Sequence, residues 1–475
     1  MNYTIEELQL WDERILEKVV EFGLDPFLLH FEICDHYQML GFLAYSGMPS
    51  RYPHWSFGKA YERQKTLYDY GISGLPYEMV INSDPSLAYL MRDNSLLLQI
   101  LTMAHVYGHS DFFKNNFSFR HTRPELTIER FKSHAERIRN YIEAPGIGED
   151  RVARILDAAH ALAFQGRRNL EIRKLSLEEQ KDRVWEAAQE PYDPYQNIHV
   201  RREWHPPDLD RLPLEPDEDL LLFIRDYAHQ LAPWEKDLIT IVQEETEYFL
   251  PQMETKIMNE GWASIWHKRI LDSLDLPQNL FMEFMVRHNQ VLRPMEGQIN
   301  PYYLGYKMFE NIEERWNNPT PEERREYGRP GGEGLAKMFQ VREVDRDVSF
   351  IRQYLTEELI REMDLFQHEK RGTDRIVTQV ADEENWTKIK ETLLKNVGTA
   401  GLPVIKVVDA YYQGRRTLFL QHDFDGRELE LEYAEKTLRY VQHLWGNEVV
   451  LETFLDDKRH HLVHDGSQFK TLRAI

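Results

Sequence analysis

Residues 87–113 read LAYLMRDNSLLLQILTMAHVYGHSDFF, and they carry the clearest periodic pattern in the chain. Apolar residues recur every three or four positions over 87–104, which predicts a helix with a face in the core. His105 and His109 follow at a spacing of four residues, which places both imidazoles on one helix face, one turn apart. Two imidazoles so placed can bind one metal ion, or they can be buried and hydrogen-bonded to neighbouring groups.

A second helical stretch contains KIMNEGWASIWH, from Lys256 to His267. Glu260 lies in the middle of this apolar helix, where a carboxylate is unfavourable unless it is paired or bound to a metal. The alternative is a buried salt bridge, for instance to Lys256 or Arg269. His267 falls on the same face two turns later, where it can be a fourth ligand, an oxyanion-stabilising group or a packing partner of the neighbouring tryptophans.

Helical periodicity covers most of residues 1–365, which predicts a mainly α domain with a small β element at 77–82. If that element is an exposed edge strand, it can pair with an extended peptide. The charged, proline-rich segment 176–217 has little periodicity and is expected to be a linker or a surface excursion. Residues 372–475 show a β-α-β-β-α-β-β order, which predicts a small, separate α+β domain. The predicted strands are 375–380, 404–408, 416–421, 448–454 and 459–464, and the predicted helices are 383–396 and 431–444.

Composition excludes several classes of protein. The 475 residues include 58 basic and 80 acidic ones, a net charge of −22 that argues against non-specific binding to nucleic acid or anionic membranes. No apolar run approaches the roughly 18 residues of a membrane span. The single cysteine, Cys34, cannot form an internal disulfide, which favours a cytoplasmic protein and excludes zinc sites built from several cysteines.

Taken together, the two helical motifs resemble those of gluzincin metallopeptidases, above all zinc aminopeptidases. Those enzymes carry A-H-E-x-x-H on one helix and N-E-G-F-A-S on another, and here A-H-V-Y-G-H and N-E-G-W-A-S stand in the same order. The resemblance implies a zincin-like core in which His105, His109 and Glu260 bind zinc or another divalent metal, with water as the fourth ligand. Val106 departs from the pattern because it replaces the general-base glutamate, and the two motifs lie unusually far apart.

A hydrolase of this kind needs a general base from elsewhere in the chain. Glu32 is the first candidate because a helix is predicted over 27–43, where burial would raise the pKa of its carboxyl group. Glu244 and Glu245 are alternatives on a later helix. A tyrosine in NPYYLG, at 300–305, can polarise a substrate carbonyl. The candidate catalytic residues are therefore Glu32, His267 and Tyr302.

The chain as a whole resembles the stage V sporulation protein R family. The resemblance rests on FEIC at 31–34, PHWSFGK at 53–59, VINSDP at 80–85, AHVYGHSDFFKNN at 104–116, and the segments 256–267 and 300–305. It weakens at His36 and over 176–217. It implies a bacterial sporulation protein tied to assembly of the spore cortex, a modified peptidoglycan. In bacteria that do not sporulate, it implies a stress-response role beside a serine protein kinase system.

The sequence is compatible with three functions. The first is a metal-dependent amide or peptide hydrolase acting on a peptide or a peptidoglycan precursor. The second is a catalytically inactive, zincin-like adaptor whose partner is the serine protein kinase system. The third is a structural factor of cortex assembly without a metal. Bound metal distinguishes the first two from the third, and turnover distinguishes the first from the second.

Overall fold

The computed structural model describes residues 3–70, 74–168, 172–189, 206–294, 299–365, 367–371, 374–379 and 386–473. Most of them are helical, as the periodicity predicts. The helices are α1 Ile5–Glu21, α2 His36–Ala44, α3 Trp55–Asp69, α4 Leu96–Asn115, α5 Thr127–Glu143, α6 Glu149–Leu162, α7 Leu177–Ala188, α8 Leu220–Tyr227, α9 Pro233–Glu254, α10 Lys256–Ser273, α11 Gln278–Val291, α12 Pro301–Asn317, α13 Pro321–Tyr327, α14 Gly334–Val344, α15 Asp347–Tyr354, α16 Glu357–Glu362, α17 Trp386–Leu394 and α18 Leu431–Trp445.

The strands form three separate sheets within the described residues. They are β1 Leu29–Cys34, β2 Glu78–Val80, β3 Ser86–Met91, β4 Gln367–Arg371, β5 Asp374–Gln379, β6 Ile405–Tyr412, β7 Thr417–His422, β8 Val449–Leu455, β9 Lys458–His464 and β10 Phe469–Arg473. Among the same residues, no helix is both long enough and apolar enough to cross a membrane.

Two compact units are present, and each is built from two separate stretches of chain. The first unit comprises Met1–Arg139 and Glu247–Gly401, and the second comprises Asn140–Thr246 and Leu402–Ile475. This division differs from the predicted domains at 1–365 and 372–475. The physical reason is that the C-terminal strands need partners from the middle of the chain: the backbones of Asp217 and Val407 exchange two hydrogen bonds of 2.9 and 2.7 Å.

Part of the predicted excursion at 176–217 is regular structure. The side chain of Ser176 accepts a hydrogen bond from the backbone N–H of Glu179, and the carboxylate of Glu179 accepts one from the backbone N–H of Ser176, so a capping box starts α7. Residues 206–219 then run without a helix or strand to α8. The stretch 190–205, which contains Pro191 and Pro194, lies outside the described residues.

The second unit contains a five-stranded sheet in the order β10-β9-β8-β7-β6. The strands predicted at 404–408, 416–421, 448–454 and 459–464 and the helix at 431–444 are confirmed, and β10 is an addition. The α+β character of the C-terminal region is thus confirmed. The predicted strand at 375–380 and helix at 383–396 correspond to β5 and α17, but both belong to the first unit.

The central helix of the first unit is α4, whose side chains from Leu97 to Phe113 are all buried. It begins at Ser95, whose hydroxyl caps the helix by accepting a hydrogen bond from the backbone of Leu98 at 3.2 Å. The prediction that the helix starts at 87 is wrong, because Ser86–Met91 forms β3, a strand buried on both faces. A continuous apolar run of this length cannot be distinguished from a buried helix by periodicity alone.

The three-stranded sheet has the order β1-β3-β2, with β1 parallel and β2 antiparallel to β3. The β element predicted at 77–82 is confirmed as β2, and it lies at an edge of the sheet. The helix predicted over 27–43 is wrong in its first half, where β1 alternates between exposed and less exposed residues. A capping box between Asp35 and Gln38 starts α2 only after that strand.

Glycines allow three helices of the first unit to pack backbone against backbone. A Cβ atom on Gly108 of α4 would lie 2.7 Å from the Cα of Ala263 in α10. A Cβ on Gly305 of α12 would lie 2.1 Å from the carbonyl oxygen of Ile257, and one on Gly261 would lie 2.3 Å from the carbonyl carbon of Gly305. The close approach fixes α10 between α4 and α12, and these are the helices that carry the candidate site.

Candidate metal centre

Three side chains from α4 and α10 converge on one point. His105, His109 and Glu260 each present one potential ligand atom, and these atoms all lie within 4.8 Å of one another. The Oε2 atom of Glu260 is 3.7 Å from Nε2 of His105 and 3.5 Å from Nε2 of His109. The structure therefore brings together the three residues that the zinc-motif resemblance singles out.

The environment of Glu260 differs from that of a buried salt bridge. Its Oε2 atom is buried and has no hydrogen-bond partner, although it faces two imidazoles. Within the described residues, Glu260 forms no ion pair with Lys256 or Arg269, and Arg269 pairs with Glu313 instead. Burial disfavours the charged form of Glu260, but the two imidazoles and the charge of Lys256 outweigh it and lower the pKa of this carboxyl. An unpartnered, ionised carboxylate oxygen in this position fits a bound cation.

The Nδ1 atom of His109 is occupied by a hydrogen bond that leaves Nε2 free. It lies 2.9 Å from Oδ1 of Asn259, and an amide oxygen can only accept, so the proton of the neutral ring is on Nδ1. Burial, reinforced by the neighbouring His105, lowers the pKa of His109 to about 4, so the ring is neutral near pH 7. The lone pair on Nε2 then points at the cluster, as a metal ligand requires.

His267 occupies a different place from the one expected of a fourth ligand. It is fully buried on α10, and both ring nitrogens are engaged: Nδ1 lies 2.9 Å from Nδ1 of His105, and Nε2 lies 2.8 Å from Nδ1 of His288. Burial also holds the pKa of His267 well below its usual value. His267 is therefore placed behind His105, where it cannot face a substrate directly.

Tyr302 lies beside the cluster, as the sequence suggests. Its ring is stacked with that of His105 at a centroid distance of 6.0 Å. Asn300 caps α12 by accepting a hydrogen bond from the backbone of Tyr302 at 3.0 Å, which fixes the start of the helix at this point. Burial, together with the carboxylates of Glu260 and Glu78, raises the pKa of Tyr302, so its hydroxyl stays protonated.

Glu32 does not have the buried environment expected of it. It lies on β1 rather than in a helix, and its side chain is exposed. β1 is at the opposite edge of the sheet from β2. Among the alternatives, Glu244 and Glu245 belong to the second unit. Glu32 is therefore not placed as the sequence argument expected of a base in the cluster.

A carboxylate that sequence reasoning missed faces the cluster from β2. Glu78 is directly opposite Leu90 of β3, so both side chains lie on the same face of the sheet. Leu90 packs into the core cluster that includes Leu97 and Leu101 of α4, which places Glu78 on the side of α4. Burial raises the pKa of Glu78; the neighbouring His105 opposes the rise and the carboxylate of Glu260 adds to it. The signal in the sequence that could have identified Glu78 is that it is the single acidic residue of the predicted β element at 77–82.

The fold and the cluster together define a mainly helical protein with a candidate metal centre between α4 and α10, two helices that pack closely against each other. The chain belongs to the SpoVR family: the family profile described as "SpoVR like protein" matches residues 2–402, and that described as "SpoVR-like C-terminal domain" matches residues 403–456. The family is associated with sporulation.

A curated relative supports the same assignment over nearly the whole chain. The uncharacterized protein YcgB of Escherichia coli (strain K12) is 32% identical over 484 residues, which cover 96% of this chain and 93% of that protein. No solved structure matches the fold. The family resemblance inferred from the motifs is thereby confirmed, whereas the zincin-like core remains a prediction.

Proposed function

We propose that this protein is a metal-dependent hydrolase that cleaves an amide or peptide bond. The observation that carries the proposal is the buried, unpartnered Oε2 of Glu260, which faces the Nε2 atoms of His105 and His109 at 3.7 and 3.5 Å. Two imidazole nitrogens and one carboxylate oxygen are a common ligand set of catalytic zinc. When bound there, zinc or another divalent cation would supply Lewis-acid polarisation of the scissile carbonyl group.

Glu78 is proposed as the general base in place of the residue that Val106 replaces. Its carboxylate approaches from β2 rather than from α4, and it shares an electrostatic environment with His105 and Glu260. It would accept a proton from the attacking water and return it to the leaving amine. The raised pKa favours this role, because a general acid–base group works best when its pKa approaches the working pH.

Tyr302 is proposed to stabilise the negative charge that develops on the substrate oxygen. The support is its position against His105 and the raised pKa that keeps its hydroxyl a hydrogen-bond donor. A donor fixed at the start of α12 needs no reorganisation during the reaction, which is the condition for effective oxyanion stabilisation.

A peptide or a peptidoglycan precursor is the proposed substrate. Two facts support this class: the family's association with sporulation, and the position of Glu78–Val80 at the edge of its sheet. An extended peptide can add to a sheet edge through backbone hydrogen bonds. Such pairing would place the peptide backbone next to Glu78, since that residue begins the strand.

The decisive experiment combines metal analysis with turnover on three matched glutamate variants. Elemental analysis of the purified protein should find a divalent metal at one per chain. Glu78→Gln should keep the metal and lose turnover of a peptide or peptidoglycan-precursor panel by about 10²–10⁴-fold, the range for one acid–base group. Glu260→Gln should lower both, and the exposed control Glu32→Gln should change neither. Absence of metal from the wild type, or full activity in Glu78→Gln, would contradict the proposal.

One observation favours an adaptor as a second candidate. Val106 is fully buried next to His105, so the position of the usual glutamate is committed to the core. An adaptor would keep the metal centre as a structural element and serve a partner such as the serine protein kinase system. It predicts that Glu260→Gln impairs the biological role whereas Glu78→Gln leaves it intact. Purified protein with bound metal and no turnover on any amide substrate would support this candidate.

A further inference from the structure

We propose that His267 and His288 are positioning residues that hold His105 in the tautomer able to bind a metal. The inference rests on the proposed metal site and adds two residues to it. Nδ1 of His105 lies 2.9 Å from Nδ1 of His267, and Nε2 of His267 lies 2.8 Å from Nδ1 of His288. The three rings thus form a continuous hydrogen-bonded chain from α4 through α10 to α11.

The chemistry of neutral imidazole allows only two arrangements of protons in this chain. Each neutral ring carries one proton and one lone pair, and each hydrogen bond needs one donor and one acceptor. If His105 donates from Nδ1, then His267 accepts at Nδ1 and donates from Nε2, and His288 accepts at Nδ1 and carries its proton on Nε2. Nε2 of His105 is then a free lone pair that faces Oε2 of Glu260.

The opposite arrangement blocks the site. If His288 donates from Nδ1, the whole chain reverses and Nε2 of His105 carries a proton directed toward the Glu260 carboxylate. A proton on Nε2 prevents coordination through that atom, so metal binding selects the first arrangement. The proton on the outer nitrogen of His288 is then a reporter of the ligand state of His105, two rings away.

The other histidine ligand has no such freedom. His109 donates from Nδ1 to the amide oxygen of Asn259, which cannot donate in return, so its Nε2 carries the lone pair in either arrangement of the His105–His267–His288 hydrogen bonds. The two ligands therefore differ. Nε2 of His109 has a lone pair available to a metal in both arrangements, whereas Nε2 of His105 has one only when His267 accepts from His105 and His288 accepts from His267. His105, His267 and His288 are all at least 97% buried, so water does not freely replace these hydrogen-bond partners.

Zinc affinity of matched variants tests the inference. His267→Leu and His288→Leu remove the acceptors, and loss of a group that orients a ligand typically weakens metal binding by about 10–100-fold. His288→Asn should restore most of the affinity, because its side-chain oxygen can accept near the former position of Nδ1. The control is His422→Leu in the second unit, which removes a buried histidine that is hydrogen-bonded to Thr453 at 2.9 Å and should leave zinc affinity unchanged.

The measurement is competition for Zn²⁺ with a chromophoric chelator, made on full-length variants whose folding is checked by circular dichroism. An affinity for His267→Leu and His288→Leu equal to that of the wild type would overturn the inference. Nitrogen-15 NMR of labelled histidines in the zinc-loaded wild type keeps the test valid if the variants do not fold. It should find protons on Nδ1 of His105 and Nε2 of His288, and a proton on Nδ1 of His288 would overturn the inference.

The test separates this inference from the proposed hydrolase. Zinc binding with the expected tautomers but without turnover would refute the hydrolase and leave the positioning roles intact. Turnover by the wild type, together with a wild-type zinc affinity in His267→Leu, would support the hydrolase and refute the positioning roles. A wild-type protein that does not bind zinc at this site would overturn both.

Discussion

Replacement of Gly305 by alanine should disrupt the packing that holds the candidate centre. Its Cβ atom would lie 2.1 Å from the carbonyl oxygen of Ile257, about 1.3 Å closer than the ordinary contact limit of 3.4 Å. The obstacle is backbone rather than the end of a flexible side chain, so α10 and α12 have to move apart. Overpacking of a tight core typically destabilises by about 1–3 kcal/mol, and a backbone clash of this size belongs at or beyond the upper end.

Urea denaturation of the wild type and Gly305→Ala measures the loss directly. The matched control is Gly58→Ala, within α3, where an added Cβ meets no atom within 4 Å. That control should be neutral or more stable by about 0.5–1 kcal/mol, because alanine is the better helix former. Zinc affinity should fall in Gly305→Ala, since the shift moves α10 and its glutamate relative to α4, and should be unchanged in Gly58→Ala. A Gly305→Ala protein within 0.5 kcal/mol of the wild type would refute the packing argument.

Three further predictions concern stability and metal. Burial, reinforced by Lys268, lowers the pKa of His288 to about 4 from 6.5. The neutral ring therefore contributes fully to the free energy of unfolding above pH 6.5, and this contribution is lost as the pH falls toward 4. The loss is at most about 3 kcal/mol, and it should be smaller in His288→Asn when unfolding is measured across that pH range. Arg342→Met leaves the buried carboxylate of Asp111 without the guanidinium that contacts it at 2.8 Å, and urea denaturation should show a loss of about 3–5 kcal/mol, whereas a loss below 1 kcal/mol would contradict the pairing. Removal of metal by a chelator should lower the melting temperature of the wild type, and an equal drop in Glu260→Gln would argue against this site.

Sequence reasoning identified the candidate ligands because their spacing is a local property. The separation of His105 and His109 by four residues fixes their common face on any helix, and the apolar surroundings of Glu260 are visible in the sequence. The same reasoning failed for β3 and β1, since burial on both faces gives a strand the apolar run of a helix. Glu32 was misplaced for this reason: its assignment to a helix implied a burial that β1 does not provide.

Long-range packing explains what the sequence could not predict. Glu78 reaches the cluster only because β2 pairs with β3 and β3 covers α4, and no local pattern encodes that register. The chain from His105 to His288 joins residues on three helices that are far apart in sequence. Likewise, the pairing of Asp217 with Val407 joins segments that the composition assigns to different domains.

Because each compact unit is built from two separate stretches of chain, the units can be completed only in a fixed order during synthesis. As the polypeptide leaves the ribosome, Asn140–Thr246 emerges before the first unit can be completed by Glu247–Gly401, and its own sheet strands come last, after Leu402. The middle segment therefore lacks the strands that complete its unit while the 155 residues from Glu247 to Gly401 are added. A truncated chain ending near residue 402 should complete its first unit and still leave 140–246 open to proteases, so a C-terminal deletion would remove far more structure than the residues it deletes.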